Sequence, residues 1–249
     1  MGIPRFFVAD IAPGVLMLPE SEARHAARSR RLETGDSAVL FNGEGAEARA
    51  EIVRADRHAV EMLVREVVVR ERARPGLVLV TATPKGPRQD WLIEKCTELG
   101  VAAIRPLLAG RGVVAPGEHR LDRWRRLSIE AAKQSQQAWL PELHAPQKLE
   151  EVLQAVAAER RLVLCAAGDI EAIRGDPENG IVPIHEALEA SRAAPRVAGF
   201  IGPEGGWTEA ELESLLSAGA EPVALGPHVL RIETAAVALA AMVHGLQGR

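Results

Sequence analysis

The chain has 249 residues, of which 47% are hydrophobic and 26% charged, as in an ordinary globular protein of one or two domains. It has no apolar run long enough to span a bilayer and no signal-peptide pattern at its start, so we expect a cytoplasmic protein. The formal net charge of −4 argues against a non-specific nucleic-acid binder. Two distant cysteines and scattered histidines indicate neither a disulfide framework nor a metal site.

The sequence pattern of residues 1–73 predicts a small β domain. The stretches "SAVLFNG" and "AEARAEIVRA" alternate apolar and polar residues around a glycine-rich turn, which predicts two strands joined as a hairpin. "AVEMLVREVVVRE" continues the strand-like pattern, and "SEARHAARS" allows one helix before it. The charged segment "RERARPG" then indicates a linker.

Residues 74–249 predict an open parallel α/β sheet, because apolar strands alternate with helical patterns. "GLVLVTATP" is typical of a strand covered on both faces, and "RQDWLIEKCTELG" of a helix in which Trp91 belongs to the buried stripe. Strands follow at "VAAIRPLLA", "RLVLCAAG", "RVAGFIG" and "PVALG", and the last helix contains "TAAVALAAMVHGLQG".

Ligands of such sheets bind beyond the carboxyl ends of the strands. Three loops have that position: "CAAGD" after the strand containing Leu164, "GPEGG" at residues 202–206, and "LGPHVLRIETA" from Leu225 onward. The second loop has no lysine and carries Glu204, which disfavours a phosphate ligand. Thr208 and Glu211 form a capping-box pattern, so the next helix begins after Trp207 and Glu204 lies in the loop itself.

Such a loop suits an uncharged or cationic nucleoside, with a purely structural turn as the alternative. The third loop places Arg231, Glu233 and Thr234 at the entrance of an apolar helix. Glu233 or Thr234 could simply cap that helix, and Arg231 could simply pair with Glu233.

Several long segments in the same order resemble the RsmE-type ribosomal RNA (uracil-N3) methyltransferases of the SPOUT class. They are "RFFV", "RLETGDSAVLFNGEG", "PKGPRQDWLIEKCTELGV", "RWRRLSIEAAKQS", "IGPEGGWTEAELE" and "LGPHVLRIETAAVALAAM". The resemblance implies a PUA-like β-barrel over residues 1–73 and a trefoil-knotted methyltransferase domain over residues 74–249. It further implies a homodimer formed through the C-terminal domain and S-adenosyl-L-methionine as cofactor. The implied reaction is methylation of N3 of a specific uridine in 16S rRNA, on the assembled small ribosomal subunit.

The resemblance and the chemistry together assign candidate roles. Arg231 is the candidate for stabilising negative charge on the uracil, and the general base is left open between Glu204 and Glu233. The candidate cofactor-binding residues are Leu164, Gly202, Pro203, Glu204, Gly205, Gly206, Leu225, Gly226, Leu230, Arg231, Glu233, Thr234 and Ala235. The candidate RNA-binding residues are Arg5, His25, Arg28, Arg31, Lys85 and Arg88, for each of which a solvated basic face is the alternative.

The chain departs from the family pattern at Ser29, Arg30, Gln136 and Gln137, so RNA contacts at these positions are left open. Two other functions stay possible at this stage. One is a methyltransferase of the same class acting on another RNA base or a ribose hydroxyl, and the other is a non-catalytic rRNA-binding assembly factor.

Overall fold

The computed structural model describes residues 3–26, 32–56, 59–112, 120–156, 162–165, 181–192 and 194–247. They form two compact units, Met1–Arg72 with Ile129–Leu140 and Ala73–Ser128 with Pro141–Arg249. The sequence did not indicate that residues 129–140 belong to the first unit. The domain boundary after residue 73 stays a prediction.

The first unit contains a six-stranded sheet in the order β1-β3-β4-β5-β2, with β6 paired to β4. Its elements are β1 Arg5–Phe7, β2 Gly14–Met17, α1 Glu20–His25, β3 Ser37–Phe41, β4 Ala46–Ala55, β5 Val60–Val64 and β6 Val68–Val69. Strand β1 runs parallel to β3, and the other pairs are antiparallel.

The predicted hairpin is confirmed, since β3 and β4 pair from Ser37↔Glu51 to Phe41↔Glu47. Asn42 builds its turn: the side-chain Oδ1 accepts hydrogen bonds from the backbone N–H groups of Glu44 and Ala46. The alternation along β4 then directs Ala48, Ala50 and Ile52 into the core.

The second unit contains a seven-stranded sheet in the order β11-β13-β10-β12-β7-β8-β9. Its elements are β7 Gly76–Ala82, α2 Arg88–Glu98, β8 Ala103–Leu107, β9 Glu142–Leu143, α4 Leu149–Val156, β10 Leu162–Cys165, β11 Val182–Pro183, α5 Ile184–Glu189, β12 Arg196–Ile201, α6 Glu209–Ser217, β13 Glu221–Ala224 and α7 Ile232–His244. Helix α3, Arg120–Ser135, begins in this unit, and its residues from Ile129 onward belong to the first unit. Every strand pair is parallel, which confirms the predicted α/β class.

Helices cover both faces of this sheet. Leu77 and Leu79 of β7 belong to a core cluster with residues of α2 and α7, whereas Val78 and Val80 belong to a second cluster with residues of α4 and α6. Strand β7 is buried along its whole length, as its continuous apolar sequence predicts. The trefoil knot stays a prediction, because it depends on the course of residues 166–180, which lie outside the described residues.

Helix α7 lies very close to the sheet. A Cβ atom at Gly199 of β12 would be 2.3 Å from Cδ2 of Leu239, which explains a glycine in the middle of a buried strand. This packing brings the middle of α7 close to β12.

The prediction for Trp91 is wrong. Its side chain is 43% exposed, because Leu92, Ile93 and Cys96 define the buried face of α2 and Trp91 points away from it. Among the described residues no helix is long and apolar enough to cross a bilayer.

Candidate functional site

Three strands of the second unit end at the same level. Cys165 of β10 pairs with Ile201 of β12 and with Val223 of β13, so the loops that follow leave one edge of the sheet together. Leu164 is in β10 between these neighbours, paired with Phe200 and Pro222, and the position of its side chain lies outside the described residues. The loop directly after β10, with residues 166–180, also lies outside them. Of the three predicted loops, the described ones at this edge are residues 202–208 and 225–231.

The 202–208 loop is rigidly folded. Gly206 donates its backbone N–H to the carbonyl oxygen of Pro203 at 2.9 Å, with φ at +74°, where an L side chain would be strained. The ring of Trp207 is buried against Gly202, so a Cβ there would lie 2.8 Å from the indole. The carboxylate of Glu204 stays exposed.

Helix α6 begins as the sequence predicts. The Thr208 hydroxyl accepts from the backbone N–H of Glu211, and the Glu211 carboxylate accepts from the backbone N–H of Thr208, which completes the capping box. Glu204 therefore lies before the helix, in the loop.

A second loop anchors the first. Gly110 donates its backbone N–H to Oε1 of Glu211 at 2.8 Å, and Nη1 of Arg111 donates to the carbonyl oxygen of Gly205 at 3.0 Å. Burial would raise the pKa of Glu211, but hydrogen bonds from Thr208 and Gly110 and the charge of Arg111 together lower it. Glu211 is thus held as a carboxylate that joins the two loops. Its sequence pattern predicts only the role in the cap.

Arg88 brings two of the predicted site carboxylates together. Its Nη1 lies 4.0 Å from Oε1 of Glu204, and its Nε lies 3.6 Å from Oε1 of Glu233. Arg88 was predicted as an RNA contact, and the structure places it between two candidate cofactor residues. No sequence pattern connects these positions, because Arg88 belongs to α2, Glu204 to a loop and Glu233 to α7.

Arg231 precedes α7 and is exposed. The helix has no side-chain cap, so the alternative that Glu233 or Thr234 caps it is wrong. The alternative that Arg231 pairs with Glu233 is also wrong, since the ion-pair partner of Glu233 is Arg88. Within the described ranges Arg231 makes no ion pair.

The loop before Arg231 is open to solvent, with Gly226, His228 and Val229 exposed and Leu225 and Leu230 partly buried. Ala235, one turn into the helix, is buried and donates its N–H to the Arg231 carbonyl oxygen.

Three buried side chains near this edge have polar atoms with no hydrogen-bond partner among the described residues. They are Thr83 with its Oγ1, Gln89 with both amide atoms, and Glu233 with its Oε2. We call Thr83, Gln89 and Glu233 the buried polar cluster. Sequence reasoning missed Thr83 and Gln89. A glutamine in the apolar stripe of α2 was the available signal, because a leucine or methionine would fit the helical pattern there.

The predicted RNA-binding residues are distributed over both units. In the first unit, the side chain of Arg5 is only 10% exposed and forms an ion pair with Glu47 at 2.5 Å. Its guanidinium also donates a hydrogen bond to the carbonyl oxygen of Gln137 and lies over the ring of Phe41. His25 belongs to α1, but its side chain, like Arg28 and Arg31, lies outside the described residues. In the second unit, Lys85 is exposed in the loop after β7. The role of each as an RNA contact stays a prediction.

A cavity of about 1050 Å³ lies elsewhere along the sheet of the second unit. It touches Leu225 and Gly226 but is otherwise bounded by α5, the end of α7 and Pro183 of β11. The described residues that line it include neither Glu204 nor Glu233. We place the candidate site at the strand ends, because the charged groups and backbone turns converge there and the lining of this cavity is mostly apolar.

The chain combines an open parallel sheet, with two described loops at its carboxyl edge, and a small β unit. Residues 71–244 match the RNA methyltransferase domain family, and residues 18–64 match the RNA methyltransferase PUA domain family. These two matches define the class as an RNA methyltransferase.

The relatives are more specific. The chain is 31% identical to ribosomal RNA small subunit methyltransferase E of Synechocystis over 95% of its own length and 75% of the relative. It is 33% identical to the Mycobacterium bovis protein of that name, over 96% of this chain and 91% of the relative. The crystal structure of the Neisseria gonorrhoeae protein of that name bound to S-adenosyl methionine superposes with a TM-score of 0.82 and 26% identity, covering 98% of both chains. The chain belongs to the ribosomal RNA small subunit methyltransferase E family.

Proposed function

We propose that the chain methylates N3 of a specific uridine in 16S rRNA, with S-adenosyl-L-methionine as methyl donor and the assembled small ribosomal subunit as substrate. The observation that carries the proposal is the pair of carboxylates, Glu204 and Glu233, that face the single guanidinium of Arg88 at the strand ends. An excess of carboxylates over this one guanidinium, in a site whose 202–208 loop has no lysine, disfavours a phosphate and suits a cationic donor.

The residues present fit the methyl donor. Backbone groups of Leu164, residues 202–206, Leu225, Gly226, Leu230 and Ala235 would hold its neutral adenosine portion. The exposed Glu204 carboxylate and the unpartnered Oε2 of Glu233 add negative charge for its sulfonium. When bound, the donor supplies an electrophilic methyl group and a neutral thioether leaving group.

The protein residues then handle the proton and the charge. N3 of the uracil forms a bond to the methyl carbon while the carbon–sulfur bond breaks, with its electron pair going to sulfur. The N3 proton must leave, and we assign its acceptance to Glu233, because Oε2 of this carboxylate is buried with no hydrogen-bond partner among the described residues, whereas Glu204 is solvated. Arg231, permanently cationic, stabilises the negative charge that spreads onto O2 and O4.

The test is methyl transfer from labelled donor to small-subunit particles that lack the modification. After nuclease digestion we expect a single new labelled nucleoside, 3-methyluridine. Label in another base or in a ribose would refute the assignment of N3. Absence of transfer together with retained binding to the particles would favour a non-catalytic assembly factor. Equal transfer to naked 16S rRNA would refute the assembled subunit as the preferred substrate.

We also propose a homodimer formed through the second unit. Met242 is exposed near the end of α7, beside an apolar cavity that Leu246 and Leu188 help to line. An apolar surface at a helix end is a common subunit contact. Sedimentation equilibrium should give twice the mass of one chain, and a monomer at micromolar concentration would refute the proposal.

Since ribosomal subunits are the proposed substrate, we expect the protein in the cytoplasm.

A further inference from the structure

The loop that follows β8, residues 108–112, meets the 202–208 loop at the carboxyl edge of the sheet. Strand β8 pairs with β7, which pairs with β12, and all three are parallel, so the loops after β8 and β12 leave the same edge. Arg111 reaches the turn of the 202–208 loop through its bond to Gly205, and Gly110 reaches the next helix through its bond to Glu211. The 108–112 loop therefore contacts both the candidate donor-binding turn and the helix that follows it.

The Arg111 contact fixes one particular peptide group. The peptide bond between Gly205 and Gly206 is planar, so its carbonyl oxygen and its N–H point in opposite directions. The N–H belongs to Gly206 and donates to the carbonyl oxygen of Pro203 at 2.9 Å. The carbonyl oxygen belongs to Gly205 and accepts from Nη1 of Arg111 at 3.0 Å. Both polar ends of this peptide group are thus held, one within the turn and one from outside it.

The glycines make the outside contact matter. Gly205 and Gly206 have no Cβ, and glycine has access to far more backbone conformations than any other residue. Gly206 uses this freedom, since its φ is +74°. Without Arg111 the peptide group between the two glycines would be held at its N–H alone, and its plane would be free to change orientation.

Arg111 is presented to Gly205 by a loop whose own backbone is fixed. Three backbone N–H groups close the 108–112 loop: that of Leu108 donates to the Gln147 carbonyl oxygen at 2.8 Å, that of Gly110 to the Glu211 carboxylate at 2.8 Å, and that of Gly112 to the Ala109 carbonyl oxygen at 2.9 Å. An arginine on a fixed backbone loses less conformational freedom when it makes its contact. The bond to Gly205 is therefore present before any ligand binds.

The charge of Arg111 is compensated locally. The Glu211 carboxylate lies close enough for Arg111 to act on it electrostatically, and it also accepts the Gly110 N–H. The contact to Gly205 therefore adds little net positive charge beside a site that suits a cationic ligand.

We propose that Arg111 is a positioning residue for the methyl donor, an inference that rests on the donor binding of the proposed function. Residues 202–206 hold the adenosine portion through backbone groups in that proposal, so their peptide planes must have the correct orientation. Arg111 sets the plane between Gly205 and Gly206 in advance. A site that is already ordered binds more tightly than one that the ligand must order. Arg111 acts through Gly205 and does not itself touch the donor.

The test compares Arg111→Ala with wild type in the full chain, with Arg126→Ala as matched control. Arg126 is also exposed and also donates to a backbone carbonyl oxygen, that of Asp122, but within α3. We expect Arg111→Ala to raise the Kd for S-adenosyl-L-methionine, measured by calorimetry, roughly 10-fold, the order expected for loss of a charge-assisted hydrogen bond. The donor KM on small-subunit particles should rise by the same factor. At saturating donor, kcat should stay within about twofold of wild type, because the bound donor then orders the turn itself.

The conservative variant Arg111→Lys separates this role from a loss of packing. Its ammonium group keeps a charged donor for the single bond to Gly205, so the Kd should return to within about threefold of wild type. Arg111 is exposed, so Arg111→Ala should leave the Tm within about 2 °C of wild type. Arg126→Ala should change neither the Kd nor the Tm.

An unchanged donor Kd in Arg111→Ala would overturn the inference. A loss of kcat with unchanged donor Kd would also overturn it, because Arg111 would then act on the RNA. Glu211→Gln provides an independent check through a double-mutant cycle. Since Glu211 holds the loop that carries Arg111, the effects of the two substitutions on the Kd should be less than additive, and strict additivity would contradict the proposed route through the loop.

The proposed function and this inference fail in different measurements. A wild-type product other than 3-methyluridine refutes the proposed target of methylation, and that product analysis needs no variant. The donor Kd values need no RNA, so they decide the role of Arg111 whatever the methylated base is.

Discussion

Nε of Arg88 lies 3.6 Å from Oε1 of Glu233, which joins the first turn of α2 to the first turn of α7. The same guanidinium reaches Glu204 in the 202–208 loop at 4.0 Å. One side chain thereby connects a helix after β7, a loop after β12 and the helix after β13. This connection places Glu233, the proposed proton acceptor, beside the proposed donor site.

Arg88→Ala should reduce methyl transfer by roughly 10-fold or more, because Glu233 loses the cation that orients it. The ion pair is partly exposed, so the free energy of unfolding should fall by only about 1 kcal/mol. Urea unfolding and steady-state kinetics measure both quantities. Arg123→Ala is the matched control, since it removes an ion pair to Asp90 of the same helix α2. Equal activity loss in the control would contradict a specific role for Arg88.

Arg231→Ala should retain binding of S-adenosyl-L-methionine and lose methylation by roughly 100-fold, the usual cost of removing one group that stabilises developing negative charge. Arg231 is exposed and unpaired within the described ranges, so its removal should leave the Tm within about 1 °C of wild type. Calorimetry with the donor and transfer to small-subunit particles separate the two effects. Near-normal turnover of the variant would refute the role.

Glu211→Gln should destabilise the protein in a pH-dependent way. The pKa of Glu211 is lowered in the folded state from its ordinary value of 4.5, so its stabilising effect is fully present above that pH. The effect is lost as the pH falls through the folded-state pKa. We expect a difference of roughly 1 kcal/mol between wild type and variant at pH 7, which shrinks below pH 4.5. Unfolding curves across this range measure it, and a pH-independent difference would contradict a carboxylate role.

Gly202→Ala should destabilise the protein by roughly 1–3 kcal/mol, because the new Cβ would lie 2.8 Å from the buried Trp207 ring. The 202–208 loop must then shift, so affinity for S-adenosyl-L-methionine should fall as well. A double-mutant cycle with Trp207→Leu tests the contact. Strictly additive changes in unfolding free energy would show that the two residues do not interact.

Much of the fold could be predicted because its signals are local. The alternation in β4, the continuous apolar run of β7 and the Thr208–Glu211 capping box each specify structure through near neighbours in the chain. Trp91 shows the limit of this reasoning. An apolar residue at helical spacing fits a buried stripe, but which face of α2 is buried depends on the sheet and helix that it meets.

The sequence by itself determined the α/β class and the two late loops that carry most of the candidate site, since strand and turn patterns are properties of consecutive residues. The tertiary structure alone decided that Arg88 is an ion-pair partner of Glu233 and that the buried Gln89 amide has no hydrogen-bond partner in the part of the chain that the structure describes. The physical reason is that charge pairing and desolvation act between groups close in space. These residues become neighbours only when parallel strands far apart in the chain end at one edge and bring the helices that follow them together.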